Sequence, residues 1–405
     1  MNKDLRIAFV TPWYGPDIPG GAEAELRGLA ERLSQYGEGV VIEVLTTCVK
    51  EFMSDWSENY HKPSSEVIRG VKVTRFPVRK RDTLEFDKVN FKLMSKLTLT
   101  NIEEQKFFSE MIRSPEMEKY ISLNCNHFDL FIFIPYMFGT TFWGIQACPE
   151  RSIIIPCLHE ESYAYMGLVK EMFSLVKGIV FLAQPEKELA LKLYDISRTE
   201  TEVLGGGVDT NYKGYPDEFR RKFGIDGPIV LYAGRKDKGK NVDGLLKSYY
   251  TFKQRYPFDN SRLILIGGGD IEVPQELRKH VVDLGFVSQQ DKYDAYEAAA
   301  VLCQPSVNES FSIVIMESWF SGTPVIVNGR CAVTKDFCTT ANGGLYYDND
   351  FEFSEALWWL LNNQKAGKKL GTQGRDFVLE HFTWNAIISR YLEFFRKVSD
   401  RGDGV

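Results

Sequence analysis

A basic surplus is missing from this chain: 49 lysines and arginines stand against 55 aspartates and glutamates, a formal net charge of −6. That excludes a general nucleic-acid binder, which carries clustered excess positive charge. No CxxC pair occurs among the seven cysteines. An odd count without paired spacing fits a reducing compartment better than a disulfide framework. The opening MNKDLRIAFV lacks the charged-then-apolar layout of a signal peptide, so a cytoplasmic protein is expected. A long uninterrupted apolar run is also missing. Residues 130–149 carry no charge over about the length of a bilayer span. Pro135, Gly139 and Gly144 interrupt them, and Thr140, Thr141 and Gln146 dilute them. The segment reads better as a buried strand, a PYMFG loop and a helix start. There is no low-complexity tract and no repeat strong enough to assign. No G-x-S-x-G elbow accompanies Cys157, Ser162 and His159, which argues against a hydrolase.

What is present is ordinary globular composition, 44% hydrophobic and 26% charged over 405 residues, enough for two domains with real cores. Short apolar strands alternate with amphipathic helices. RIAFVTP, VVIEVLTT, DLFIFI, SIIIPCL and GIVFLA read as strands, and GVKVTRFPV as an edge strand because Pro77 cannot donate to a ladder. Residues 83–121 read as helical but irregular. After Gly205-Gly206-Gly207 the pattern restarts with PIVLYAG, RLILIGGG, VVDLGFV, VLCQPS and TPVIVN. Such alternation indicates α/β architecture with parallel sheets covered on both faces. Two series imply two doubly wound domains facing a central cleft, with ligands beyond the carboxyl ends of the strands.

The segment richest in chemistry is Glu309-Ser-Phe-Ser-Ile-Val-Ile-Met-Glu317. Glu309 falls in a loop after a strand, Ser312 is placed to cap the following helix, and Glu317 lies about 7–8 Å along its axis. First-turn amides near Phe311 to Val314 can hold a phosphate, and acceptor-only carboxylates suit sugar hydroxyls. The same pair also fits two solvated glutamates flanking a core helix. Directly after PIVLYAG comes GRKDKGKN, where Arg235 and Lys240 can clamp a pyrophosphate. It is not a Walker A loop, and a solvated basic loop is the plain alternative. Gly20-Gly21-Ala22-Glu23 follows the first strand at a helix start, where backbone can approach an anion closely; a simple flexible loop fits equally. His159 stands at the end of SIIIPCL. Gly267-Gly268-Gly269 is a weak signal alone. Asp348-Asn349-Asp350 has the D-x-D form of a metal site, but its place near a helix start suits the helix dipole better.

Together, ESFSIVIME with GTPVI, GRKDKGKN, GGAE, strand-end His159 and LGGGVD resemble the retaining glycosyltransferases of family four, in order and over nearly the whole chain. The resemblance implies a GT-B fold of two Rossmann-like domains, an acceptor-binding one over 1–205 plus 382–405 and a nucleotide-sugar-binding one over 206–381. The ending FTWNAIISRYLEFFRKV is similar to the family's terminal helix, which crosses back to the N-terminal domain. By resemblance, Arg235 and Lys240 hold the donor diphosphate, Glu317 the ribose, and Glu309 the transferred sugar. The amides at Phe311 and Ser312 help hold phosphate or sugar. His159 faces the anomeric centre and Gly21 admits the diphosphate. The catalytic set is then His159, Arg235, Lys240 and Glu309, with no metal or other cofactor. The sequence departs from the family where NGVD is Gly206-Gly207-Val208-Asp209, where EGFG is Glu309-Ser310-Phe311-Ser312, and where Glu160 follows His159.

The expected partners are a nucleotide-sugar donor and a glycan or lipid-linked acceptor, as in polysaccharide or glycoconjugate synthesis, and not nucleic acid. Arg79-Lys80-Arg81 with Leu84, Phe86, Val89, Phe91, Leu93 and Met94 can rest on an anionic membrane, which would make the protein peripheral at its inner face. A packed helical insertion is the alternative for 79–97. Two rival functions share the fold class: a nucleotide-sugar 2-epimerase, for which no convincing acid/base set is found, and a sugar-nucleotide-binding protein without turnover.

Overall fold

The computed structural model describes residues 4–400. They form two compact units, 4–207 with 387–400 and 208–386; the boundaries read from the sequence are 205/206 and 381/382. The backbone shows why the crossings fall later. The Val208 amide donates to the Phe382 carbonyl at 2.8 Å and Val208 bridges Thr383, so both connecting segments still belong to the second unit there.

The first unit is built on an eight-stranded sheet: β1 Leu5–Val10, β2 Val40–Thr47, β3 Ser64–Ile68, β4 Val71–Phe76, β5 Leu130–Phe133, β6 Ser152–Ile154, β7 Gly178–Phe181 and β8 Glu200–Val203. The order is β3-β4-β2-β1-β5-β6-β7-β8, parallel except for the antiparallel pair β3–β4. The expected edge strand is therefore corrected. GVKVTRFPV supplies β4, which stops before Pro77 and is covered on its outer side by β3. β3 is exposed along nearly its whole length, so it has no apolar alternation to betray it. The interior strands are continuous Phe, Ile and Val runs because both faces are covered.

The segment 130–149 is the buried strand β5, a turn through the cis peptide Ile134–Pro135, and the helix Gly139–Ala147. No described helix is long and apolar enough to cross a membrane. Residues 83–121 resolve into three short helices, Thr83–Met94, Asn101–Glu110 and Pro115–Leu123, each started by a side-chain cap from Asp82, Thr100 or Ser114. Phe86, Val89 and Leu93 of the first are buried, while Leu84, Phe91 and Met94 are exposed. Two of the three neighbouring basic residues are engaged in the fold. Arg79 pairs with Glu110, and Arg81 lies over the Trp56 and Phe86 rings. Cys125 and Cys148 are joined as a disulfide, against the expectation of unpaired thiols; Cys48, Cys157, Cys303, Cys331 and Cys338 are buried and form no disulfide.

The last helix, Trp384–Asp400, buries Ile387, Ile388, Tyr391, Phe394, Phe395 and Val398, an apolar stripe at three-to-four spacing. It belongs mainly to the first unit. Phe394 reaches within 3.3 Å of where a Cβ on Gly178 would stand, and Tyr391 donates to the Gly205 carbonyl at 3.0 Å.

The second unit holds a six-stranded parallel sheet: β9 Ile229–Ala233, β10 Arg262–Ile266, β11 Val281–Asp283, β12 Val301–Gln304, β13 Val325–Asn328 and β14 Gly344–Tyr347. The order is β11-β10-β9-β12-β13-β14. β9 comes first in sequence and is flanked by β10 on one side and β12 on the other. The strand order reverses between β9 and β12, which is where open parallel sheets take ligands.

Candidate functional site

Both strong sequence motifs leave the sheet at that reversal. The basic loop 234–241 follows β9, and the loop carrying Glu309 follows β12. Residues 69 positions apart then meet: Lys240 Nζ lies 2.7 Å from Glu309 Oε1. The loops are held from beneath. Asn241 and Asn328 each donate a side-chain N–H to the Pro305 carbonyl at 3.0 Å. Asp237 ties the basic loop to itself, accepting from the Lys240 amide at 3.0 Å and pairing with Arg235 at 3.2 Å. The Arg235 side chain is 52% exposed, against 28% for Lys240, so Arg235 is the more free to turn toward an incoming anion.

The glycines after β10, a weak signal in the sequence, turn out to shape this loop. Gly267 has φ +122°, and a Cβ there would sit 2.0 Å from the Gly234 carbonyl oxygen; one on Gly269 would sit 2.8 Å from that of Lys236. Only glycine permits such approach. Lys236, which the sequence reading left without a role, is buried and fastens the loop by donating to the Gly267 carbonyl at 2.5 Å and to Asp283 at 2.9 Å.

Glu317 lies in the helix Ile313–Phe320 and is buried. Lys292 donates to its Oε1 at 2.6 Å and the Tyr296 hydroxyl to its Oε2 at 2.9 Å. Both donors stand four residues apart on the helix Gln289–Ala298, hence on one face. Burial, then the Glu317 charge, raises the Tyr296 phenol well above its ordinary pKa, so it remains a donor. Two further acceptor positions on Glu317 remain for ligand hydroxyls. Each member of the glutamate pair thus has its own lysine, Lys240 for Glu309 and Lys292 for Glu317. The reading of two solvated glutamates is set aside by this burial and pairing.

One local expectation is corrected. Ser312 stands at the helix N-cap position, but in the left-handed region at φ 71°, and its side chain caps nothing. Its hydroxyl instead accepts from Gln304 Nε2 at 2.9 Å, and the same amide reaches Glu309 at 3.3 Å. The helix start is left to its first-turn amides, of which that of Ile315 is taken by the Ser312 carbonyl at 3.1 Å. Phe311 is buried between Phe337 and Phe382, with ring centroids at 5.5 and 5.2 Å, and anchors the turn from below. The Asp348-Asn349-Asp350 segment is a helix start: Asn349 accepts from the Phe351 and Glu352 amides, and Asp350 pairs with Ser248 and Lys247. Among the described residues, the grouping whose ligand atoms lie close enough for a metal is Cys125, Cys148 and Glu150, and its two sulfurs are already bonded to each other.

The first unit carries the other two sequence candidates. Gly21 opens the helix Gly21–Tyr36, with open space where a side chain would go. The strained glycine is its neighbour Gly20, at φ +133°. His159 follows β6, with Nδ1 3.5 Å from Glu161 Oε1. Its loop is held by a residue that no sequence pattern singled out. The buried Glu186 accepts from the Leu158 amide at 2.7 Å and the Leu182 amide at 2.5 Å, stitching the ends of β6 and β7. Burial, opposed by those amides, raises its pKa to about 7. A glutamate at the third helical position after a strand was the available clue.

Comparison with known proteins bears on the fold and on the second unit. Residues 216–377 match the family described as glycosyl transferases group 1. An uncharacterized glycosyltransferase of Methanocaldococcus jannaschii is 23% identical, over 97% of this chain and 98% of its own. A D-inositol 3-phosphate glycosyltransferase of Frankia alni is 31% identical over 52% of this chain; the match spans about half of that relative, 56%. Among solved structures, a sucrose-phosphate synthase from Thermosynechococcus elongatus superposes with a TM-score of 0.72 at 17% identity, covering 97% of this chain and 99% of its own. HepE of Anabaena, solved with UDP and glucose, gives 0.70 at 14% identity, with 97% and 100% covered. The motifs, the sheet orders and these likenesses converge on the GT-B fold, with residues 216–377 of the second unit matching the glycosyl transferases group 1.

Proposed function

We propose that the chain is a retaining glycosyltransferase that moves a sugar from a nucleotide-sugar donor to an acceptor hydroxyl without a metal, in polysaccharide or glycoconjugate synthesis. The observation that carries this reading is the contact between Lys240 and Glu309 at the strand reversal of the second unit. It joins a diphosphate-binding group to a sugar-binding one at the place where such sheets take nucleotides. In this reading Arg235 and Lys240 take up charge developing on the leaving diphosphate, as preorganised donors do. Glu309 accepts hydroxyls of the transferred sugar and Glu317 those of the ribose, while amides near Phe311 and Ser312 meet the phosphate. Arriving diphosphate draws Lys240 from Glu309, which frees that carboxylate for the sugar. His159 acts toward the reacting sugar, and Gly21 leaves backbone room for ligand. Solved relatives of this fold hold UDP or UDP-glucose, which makes UDP-sugars the first donors to try.

The test is product analysis with UDP-, GDP-, ADP- and dTDP-sugars, with and without acceptor glycosides. The expected result is acceptor-dependent release of nucleoside diphosphate, an axial or equatorial linkage matching the donor's, and full activity in excess EDTA. An inverted linkage overturns retention, and activity lost in EDTA and restored by Mg²⁺ or Mn²⁺ overturns metal independence. Conversion of the donor to its 2-epimer would favour the rival enzyme.

A further inference from the structure

Within the first unit, a cavity of about 450 Å³ opens between the chain after the helix Thr83–Met94 and the loop that follows β6. That volume is within the usual range for small-molecule sites. It lies beyond a strand's carboxyl end, on the same loop as His159. Its walls are of two kinds. Leu97 and Met166 supply apolar surface, and Leu97 is left 54% exposed. Glu160, Glu161 and Tyr165 supply polar surface. The Tyr165 hydroxyl donates to Glu160, and the Tyr136 hydroxyl donates to Glu161 at 2.8 Å. Each of these carboxylates has about four acceptor positions, so each keeps capacity for further hydroxyl donors. A third carboxylate in the lining, Glu104, is already committed. Its oxygens accept from the Gly167 and Leu168 amides at 2.9 and 2.8 Å, which fixes the floor rather than a ligand.

A lining that combines apolar side chains with acceptor-only carboxylates suits a sugar ring, which presents C–H on its faces and O–H at its edge. The charge is also selective. Glu160 and Glu161 together outnumber Lys96, the basic side chain of the lining. A phosphate or carboxylate brought between them would meet like charge at short range, and such repulsion excludes a ligand as effectively as any contact selects one.

We propose that this cavity is the acceptor subsite and that it takes an uncharged saccharide, discriminating against phosphorylated ones. This rests on the transferase reading for its role, but its chemistry is testable by binding alone. Ligand-observed NMR on the whole chain, with UDP present, compares methyl α-glucopyranoside with glucose 6-phosphate at equal concentration. The neutral glycoside should receive saturation transfer and the phosphate should receive at least fivefold less. Leu97→Trp, which fills the cavity, should abolish the glycoside signal while calorimetric UDP affinity stays within twofold. Glu160→Lys should narrow or reverse the preference. Equal or stronger transfer to the phosphate, no transfer to either sugar, or a glycoside signal that survives Leu97→Trp in a protein of unchanged melting temperature would each overturn the proposal. Because UDP binding is read separately, failure of the donor site shows as lost UDP affinity, and failure of the acceptor inference as lost sugar discrimination.

Discussion

Lys240 sits on Glu309 before any ligand arrives, and that contact governs how its removal should read out. Lys240→Ala takes away one preorganised charge-stabilising donor and should cost on the order of 10²–10³ in turnover. Glu309→Gln should also be slow, and the double variant should lose less than the product of the two, because the residues act as one unit. Steady-state rates of the four proteins decide this; a fully multiplicative double loss would mean the contact is incidental. Glu317 differs in kind. It belongs to the pair with Lys292 and Tyr296, so Glu317→Gln should weaken free UDP as well as UDP-sugar, whereas Glu309→Gln should spare free UDP. Calorimetry on both ligands separates them, and equal losses in the two variants would refute the division of roles. Glu309, Glu317, Arg235 and Lys240 were legible in the sequence because their spacing and strand-end placement survive without coordinates. Lys292, Tyr296, Gln304, Lys236 and Glu186 were not. Lys292 and Tyr296 come from another helix, the contacts of Lys236 and Gln304 are set by the fold rather than by their spacing, and only Glu186 left a local clue, at the third position of its helix.

At the scale of elements, two glycine loops that look alike in sequence behave differently. Gly267 has a left-handed φ and a neighbour's carbonyl where its Cβ would be, so Gly267→Ala must displace the basic loop or strain the backbone. A cost of about 2–4 kcal/mol is expected, the range of strain and overpacking combined, together with weakened UDP binding. Gly21→Ala meets open space at a helix start and should change stability by no more than about 0.5 kcal/mol. Thermal unfolding of the two variants tests the contrast, and comparable losses would show that the loops are not distinguished by packing. The same scale explains what the pattern hid. The buried strands announced themselves as Val/Ile/Leu/Phe runs. β3 is exposed and mixed in composition, and Ser312 has a capping residue's identity but a left-handed backbone that turns its hydroxyl to Gln304. Propensity names a residue's preferred use, and tertiary contacts decide whether that use is taken up.

For the molecule as a whole, two buried glutamates of the first unit have pKa values raised well above the ordinary carboxyl range. Glu25, on the helix Gly21–Tyr36, is fully buried, accepts from the Gly207 amide and has a pKa raised from 4.5 to about 8, chiefly by loss of solvent and only partly offset by that amide and by Arg32. Glu186 is raised to about 7 for the same main reason. Both charges, when present, raise the phenol of Tyr391 on the terminal helix, which is itself pushed well up, mostly by burial. A carboxyl whose pKa is higher folded than unfolded binds its proton more tightly in the fold. Its contribution to stability is fully present below the unfolded value of 4.5 and is lost as pH rises through the folded value. The first unit should therefore lose stability between pH 5 and pH 8, most steeply from the two glutamates together up to 7 and from Glu25 alone above it. Glu25→Gln keeps the shape and removes one titration. The melting temperature of the variant minus that of the wild type should thus grow with pH across this window, by an amount corresponding to about 1–3 kcal/mol. Scanning calorimetry of both proteins at pH 5, 6, 7 and 8 measures it. A difference that stays constant, or that shrinks as pH rises, would show that Glu25 is charged in the fold and that burial does not govern it.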